Sequence, residues 1–129
     1  RGPRSPRHKP WSETGNGSTR FEWVPLETSL QWAAFRRLID LLRQHGDDVL
    51  VVVGPFNEHM MADENRAAYR KLRADAVAWL AQNHVAHLVP EALPSVLYAD
   101  ASHPLTEGYQ LLAQRLYGDT RFQNWIGGK

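Results

Sequence analysis

The chain has 129 residues and a formal net charge of +1 with histidines neutral, which fits one domain. This charge gives no electrostatic reason to expect nucleic acid or an anionic membrane surface as a partner. Hydrophobic residues make up 43% of the sequence, too many for a disordered chain, and the lack of cysteine excludes disulfides, thiolate catalysis and cysteine-ligated zinc. No apolar run approaches the roughly 18–20 residues of a membrane span.

Residues 1–20 differ in composition from the rest of the chain. They contain three Pro, three Gly and five Lys or Arg, and Trp11 is their only large apolar side chain. Such a segment buries too little surface to offset the entropy of ordering it, so we expect a flexible or extended arm or linker. A basic arm that binds an anionic partner is the functional alternative. Residues 21–129 are expected to form the folded part.

A helix followed by a buried strand is predicted from residue 28 onward. Thr28 and Gln31 have the spacing of a capping box, and Gly46 can end the helix. Between them, apolar side chains recur at intervals of three and four, as in an amphipathic helix: Trp32, Phe35, Leu38, Ile39 and Leu42. The run 49–53, Val-Leu-Val-Val-Val, has no polar alternation, which is typical of a strand covered on both faces in a parallel sheet.

The following residues predict a βαβ unit and a final helix. A second helix is expected over about 65–82 and a second strand over 85–89, so that the two strands run parallel. The last helix is expected to begin near Thr106 and to stop at Gly118. Two strands cannot make a sheet buried on both faces, and residues 1–48 offer no convincing third strand. We therefore expect a complementary segment or partner chain to complete the sheet, this chain being a fragment or one part of an assembly.

Two loops follow the predicted strands, residues 54–61 and 91–104, at the edge where ligands bind in open α/β sheets. Asp100 and His103 lie on the second loop, on a turn entering the last helix. A carboxylate that accepts from one imidazole nitrogen leaves the other nitrogen free to take a proton from a nucleophile. The spacing alone is common, and an Asp cap beside a surface His is its ordinary structural interpretation.

The wider sequence around this pair resembles a known family. Asp-Ala-Ser-His-Pro-Leu from Asp100, followed by Glu-Gly-Tyr-Gln-Leu-Leu-Ala, is similar to the C-terminal block of the SGNH/GDSL hydrolases. The order of elements over residues 26–117 is also similar. The resemblance implies a three-layer α/β/α flavodoxin-like fold with a parallel sheet, this chain supplying only its C-terminal part. It implies a serine esterase that acts on a small ester such as an acetylated carbohydrate and needs no cofactor, with Asp100 as the orienting acid and His103 as the general base. The compartment stays open, export from a bacterial cell being one option.

The nucleophile of that family is missing here. Its serine lies in a Gly-Asp-Ser block after the first strand, and no such block occurs in this chain. None of the six serines follows an apolar strand in a tight turn of small residues, and Ser102 is the sequence neighbour of His103. We expect the serine to come from a missing N-terminal segment or a partner chain. Two alternatives stay open: a non-catalytic binding or assembly module on the same scaffold, and an O-acyltransferase.

The loop after the first strand offers a second group of candidate residues, Asn57, Glu58 and His59. Asn57 could donate its amide to an oxyanion or bind substrate, and Glu58 or His59 could contact substrate or support His103. The structural interpretation is an Asx turn at Asn57, with Glu58 leading into the next helix. Imidazole and carboxylate from His59, Asp100 and His103 suit zinc, but they form no compact ligand motif, so we expect no metal.

Overall fold

The computed structural model describes residues 7–128, which form four α-helices and a parallel sheet of two strands. The helices are α1 (Leu30–Gln44), α2 (Asp63–Gln82), α3 (Thr106–Gly118) and α4 (Thr120–Gly127). The strands are β1 (Leu50–Val52) and β2 (Ala86–Leu88). Residues 7–128 also contain four short 3₁₀ segments. Trp11–Glu13 and Leu26–Thr28 precede α1, Glu58–Met60 lies between β1 and α2, and Ser95–Leu97 lies between β2 and α3. None of the helices within residues 7–128 is long and apolar enough to cross a membrane.

The βαβ unit is confirmed: β1 and β2 are parallel and α2 connects them. Leu50 lies opposite Ala86, and Val52 lies opposite Leu88. A core cluster lies on one face of the sheet, where Ile39 of α1, Leu80 of α2 and Val85 are at most 3% exposed. Partly buried apolar side chains surround these three: Phe35, Val49, Val51, Val53 and Trp79. The chain is therefore a mixed α/β protein with one core cluster between the sheet and helices α1 and α2. Further buried apolar side chains lie in β2 and in the two loops after the strands: Met61, Leu88, Leu93 and Tyr98.

Among the described residues, the second face of the first strand is covered only in part: Leu50 is half-buried on that face, and Val52 is more exposed. Val52 alternates with the core residues Val51 and Val53, so it points to the opposite face, and it is 38% exposed. Within residues 7–128, β2 is the only strand paired with β1, which leaves one edge of β1 unpaired. Residues 7–128 thus contain a two-stranded sheet and do not form a three-layer flavodoxin-like fold. A run without polar residues indicates that both faces are apolar, but it does not say what covers them.

The capping box predicted at the start of α1 is wrong. Ser29 is the N-cap, and its Oγ accepts a hydrogen bond from the backbone N–H of Trp32 at 3.1 Å. Thr28 instead closes the preceding 3₁₀ turn, donating its backbone N–H and its hydroxyl to the Pro25 carbonyl. Because Thr28 is held in that turn, the capping role falls to the next residue.

The described part of the N-terminal arm, residues 7–20, runs along the two loops that follow the strands. The backbone N–H of Trp11 donates to the Tyr98 carbonyl at 2.7 Å, and the backbone N–H of Thr19 donates to the Met60 carbonyl at 2.7 Å. Residues 1–6 of the predicted arm lie outside the described residues. The arm therefore contacts both loops that carry the candidate site residues.

Four aromatic side chains hold the loop after β1 against α2. The rings of Phe21, Trp23, Phe56 and Tyr69 pack with neighbouring centroids 5.3 to 5.7 Å apart. Asn65 of α2 adds two hydrogen bonds to the main chain of Phe21, donating to its carbonyl at 2.8 Å and accepting from its N–H at 3.2 Å. The segment from Phe21 to Trp23 is thereby fixed between α2 and the loop.

Candidate active site

The two loops after the strands meet at the carboxyl end of the sheet. Residues 54–61 follow β1, residues 91–104 follow β2, and the Asn57 N–H donates to the Ala101 carbonyl at 2.8 Å. Tyr98 reinforces this contact, because its buried hydroxyl is 3.0 Å from the Leu93 nitrogen and 3.4 Å from the Pro55 carbonyl oxygen. Parallel strands and these hydrogen bonds place the side chains of both loops at one edge of the sheet.

Asp100 and His103 form a direct pair on the second loop. The Nδ1 atom of His103 lies 2.9 Å from Oδ1 and 2.8 Å from Oδ2 of Asp100. Both side chains are open to solvent, His103 at 69% and Asp100 at 53% exposure. The imidazole therefore faces the carboxylate through one nitrogen, and Nε2 makes no hydrogen bond to any residue in 7–128.

A tight turn fixes the carboxylate in this position. Asp100 Oδ1 accepts the backbone N–H groups of Ser102 and His103, each at 2.9 Å. The Ala99 N–H donates to the His103 carbonyl at 2.8 Å and closes the turn. The chain then enters α3 at Thr106. The same contacts would serve an ordinary Asp turn, so the turn alone does not distinguish a structural role from a catalytic one.

Hydrogen bonding also sets the charge of Asp100. Partial burial raises the pKa of its carboxyl, but the N–H of Ser102, the imidazole of His103 and the N–H of His103 lower it by more. The pKa of Asp100 is thus held below its usual value, and the group is ionised at neutral pH. An ionised carboxylate is an acceptor only, so the Nδ1 atom must carry the proton that is shared with it. In the neutral ring the lone pair then resides on Nε2, the nitrogen that a general base uses.

A cleft of about 940 Å³ lies beside the pair. Its lining includes charged and hydroxyl groups from three parts of the chain: Arg7, His8, Asp100, His103, Thr106 and Glu107. A second cavity of about 190 Å³ lies against Ser102 and Leu112. Pro104 and Tyr109 line both cavities and separate them. The pair therefore opens onto a space large enough for a small organic ligand.

Asn57 does not reach this cleft. Its side chain is fully buried, and its Nδ2 atom donates to the Asp100 carbonyl at 3.3 Å. Its Oδ1 atom is buried and accepts no hydrogen bond from a described residue. The amide of Asn57 thus contacts the main chain of the Asp100 turn, and its assignment to an oxyanion or to substrate stays a prediction.

Glu58 binds α2. Its two carboxylate oxygens accept from Arg70 at 3.0 Å and from Arg73 at 3.2 Å, and only 15% of its side chain is exposed. Its carbonyl accepts from the Arg66 side chain at 3.2 Å. These contacts hold the loop against the helix and leave Glu58 without a hydrogen bond to Asp100 or His103. Support of His103 by Glu58 also stays a prediction.

His59 contacts the second loop at a different point. Its Nε2 atom lies 2.9 Å from the Leu93 carbonyl oxygen, so this nitrogen carries a proton. Its ring stands 6.5 Å, between centroids, from that of Tyr98. Within residues 7–128, no three His, Asp or Glu side chains are grouped closely enough to hold a metal ion. The substrate role of His59 stays a prediction.

Tyr98 is a site residue that the sequence reasoning missed. It is fully buried, and burial raises the pKa of its hydroxyl, so this hydroxyl stays protonated over the working pH range. The available signal was an aromatic residue with a hydroxyl at the end of Val96-Leu97-Tyr98, directly before the polar turn. A buried tyrosine hydroxyl needs polar partners, and main-chain groups of neighbouring loops are the usual ones.

Ser102 approaches the imidazole from the wrong side for a nucleophile. Its Oγ atom is 3.4 Å from His103 Nδ1, the nitrogen already bound by Asp100. No serine within residues 7–128 makes a hydrogen bond to Nε2. No protein-family model, no curated protein and no solved structure matches the chain. The functional interpretation therefore rests on the chemistry of Asp100, His103 and the cleft beside them.

Proposed function

We propose that the chain supplies the acid and the base of an SGNH-type serine esterase acting on a small ester such as an acetylated carbohydrate. The observation that carries this proposal is the Asp100–His103 pair itself. Nδ1 lies within 2.9 Å of both carboxylate oxygens, and the ring lines a cleft of about 940 Å³. Geometry of this kind orients an imidazole for proton transfer, because the carboxylate fixes the tautomer and stabilises the imidazolium.

In the proposed reaction, His103 Nε2 removes the proton of a serine hydroxyl as the serine oxygen attacks the ester carbonyl carbon. The imidazolium then gives this proton to the leaving alcohol, and an acyl-serine remains. In the second half, Nε2 removes a proton from water as the water oxygen attacks the acyl carbon. The imidazolium then gives this proton to the serine oxygen as the carboxylic acid leaves, which regenerates the serine. Asp100 stays ionised throughout and stabilises the positive charge on His103.

The serine is proposed to lie on a complementary segment or partner chain that adds a strand to β1. Two observations support this. The edge of β1 opposite β2 is unpaired within residues 7–128, and Val52 presents apolar surface on the face away from the core. An unpaired strand edge offers a row of backbone donors and acceptors to a further strand. On this proposal the completed sheet would be the three-layer flavodoxin-like one.

Treatment of the purified protein with a fluorophosphonate probe, followed by a denaturing gel, tests the proposal. Label on the complementary segment or on a partner chain that copurifies with this chain, absent when His103 is replaced by Ala, is the expected result. The matched control is His45→Ala, since His45 is another exposed histidine beside a carboxylate. Label that is unaffected by His103→Ala, or no label on either polypeptide in the folded sample, would overturn the esterase proposal.

A non-catalytic binding module is the second candidate. The observation that favours it is the lack, within residues 7–128, of any serine hydrogen-bonded to His103 Nε2. On this alternative the cleft would bind a ligand without turnover. It predicts no fluorophosphonate label in any sample that contains the chain and its partner.

A further inference from the structure

Asn57 is held against the turn that carries the candidate acid and base. Its backbone N–H donates to the Ala101 carbonyl at 2.8 Å, and its Nδ2 donates to the Asp100 carbonyl at 3.3 Å. Two consecutive carbonyls of the turn are therefore bound by one residue of the other loop. The side chain that does this is fully buried.

Packing alone does not account for a carboxamide at this position. The Oδ1 atom of Asn57 is buried and accepts no hydrogen bond from a described residue. A buried acceptor without a partner is unfavourable, and an apolar side chain would avoid that cost. The bond to the Asp100 carbonyl is thus the one polar interaction of this carboxamide among residues 7–128.

The carbonyl that Asn57 binds lies in the turn that carries the pair. It belongs to the peptide unit between Asp100 and Ala101, which leads directly to the N–H groups of Ser102 and His103. Both of these N–H groups bind Asp100 Oδ1 at 2.9 Å. Rotation of the peptide unit would move the carboxylate away from these groups and from the imidazole.

We propose that Asn57 is a positioning residue for the Asp100–His103 pair. By holding the Asp100 and Ala101 carbonyls, it fixes the turn in which one carboxylate binds two backbone N–H groups and the imidazole. In this role Asn57 acts through the turn. Its effect on turnover rests on the proposed function, whereas its effect on the pair can be measured without any substrate.

The test compares Asn57→Ala with Asn65→Ala by NMR. Asn65 is a matched control because it also binds main-chain groups with its carboxamide, at Phe21 and away from the pair. In Asn57→Ala the pKa of Asp100 should rise toward its usual value, since the N–H groups that lower it lose their alignment. The proton on His103 Nδ1 should also exchange faster with water. In Asn65→Ala both properties should match the wild type.

The neighbouring charges are the same in all three proteins, since Arg7, His8 and Glu107 line the cleft and are not substituted. Unchanged behaviour of Asp100 and His103 in Asn57→Ala would overturn the proposal. An equal change in Asn65→Ala would also overturn it, because it would show general loosening of the loops.

A measurement on the wild type covers the case in which Asn57→Ala does not fold. The side-chain N–H of Asn57 should exchange with deuterium at least about tenfold more slowly than that of Asn124, which is exposed. Equal exchange rates would sink the proposal. Neither measurement uses ester turnover. The positioning role of Asn57 is therefore tested independently of the fluorophosphonate experiment.

Discussion

Two exposed histidines in this chain each face an aspartate, and the surroundings of the two pairs differ. His45 follows α1 and its Nδ1 lies 3.2 Å from one oxygen of Asp47. His103 Nδ1 lies within 2.9 Å of both oxygens of Asp100, which also accepts two backbone N–H groups. The first pair is one contact on a helix end, whereas the second is built into a turn. The two pairs therefore differ in the number of groups that fix the carboxylate as well as in the distance between imidazole and carboxylate.

The largest difference between the two pairs is expected when each histidine is replaced by alanine in the assembled protein. On the proposed function, His103→Ala should lower the rate of ester hydrolysis by at least about 10³-fold, because His103 would serve as base and acid in both half-reactions. His45→Ala should stay within about twofold of the wild type, the usual outcome for an exposed side chain. Hydrolysis of p-nitrophenyl acetate measures both. Similar losses in the two variants would remove the distinction between the pairs.

The support beneath the second pair can be tested at a glycine of α3. A Cβ atom on Gly108 would lie 2.6 Å from the Leu97 carbonyl oxygen and 2.9 Å from the Pro104 Cβ. Gly108→Ala should lower the free energy of unfolding by about 1–3 kcal/mol, because α3 must move away from the turn. Gly118→Ala is the control, since nothing lies within 4 Å of a Cβ there. Chemical denaturation measures both, and an unaffected Gly108→Ala would show that the close contact is not needed.

Tyr98 links the loops that position the second pair. Tyr98→Phe removes the hydroxyl that approaches Leu93 and Pro55 and leaves buried main-chain groups without a partner. We expect a loss of about 1–2 kcal/mol in the free energy of unfolding. Tyr117→Phe, at an exposed tyrosine, should change it by less than about 0.5 kcal/mol. Equal values for the two variants, from thermal or chemical denaturation, would contradict the linking role of Tyr98.

The smallest expected effect concerns acid stability. The pKa of Asp100 is lower in the folded chain than in the unfolded one, so its contribution to stability is present above the unfolded pKa. That contribution is lost as the pH falls through the lower, folded pKa. Asp100→Asn should therefore be less stable than the wild type at pH 6, by less than about 1 kcal/mol because the group is half exposed. The difference should shrink toward pH 2, and a difference that is constant with pH would contradict this account.

Much of the scaffold could be predicted from the sequence because it depends on local patterns. Apolar periodicity placed α2, and the Val-rich run placed β1, each with ends close to those observed. The capping-box spacing gave the wrong N-cap for α1, because the choice of N-cap depends on the residues before it. Thr28 is held in the preceding turn, so Ser29 caps α1. Helix α4 was missed, although Asp119 before it caps the Arg121 N–H and was readable as a helix start.

The candidate site was predictable only in part. Asp100 and His103 are three residues apart on one turn, so their contact follows from local geometry. The burial of Asn57 and the bonding of Glu58 to Arg70 and Arg73 depend on how a loop meets another loop and a helix. No spacing in the sequence carries that information, because these contacts join segments far apart in the chain.

The edge of β1 that is unpaired within residues 7–128 would report the addition of a third strand. Val53 donates its N–H to Leu88 of the neighbouring strand, so the N–H of Val52 points to the other side of β1 by the alternation of parallel strands. A backbone N–H without a hydrogen-bond partner in the sheet exchanges its hydrogen with solvent through small local motions. A backbone N–H that is hydrogen-bonded inside a sheet exchanges only when the sheet opens. The deuterium uptake of Val52 should therefore slow sharply when a third strand adds to β1, while the uptake of Val53 should change little. A single pair of neighbouring amides thus distinguishes the isolated chain from the completed sheet before any substrate is known.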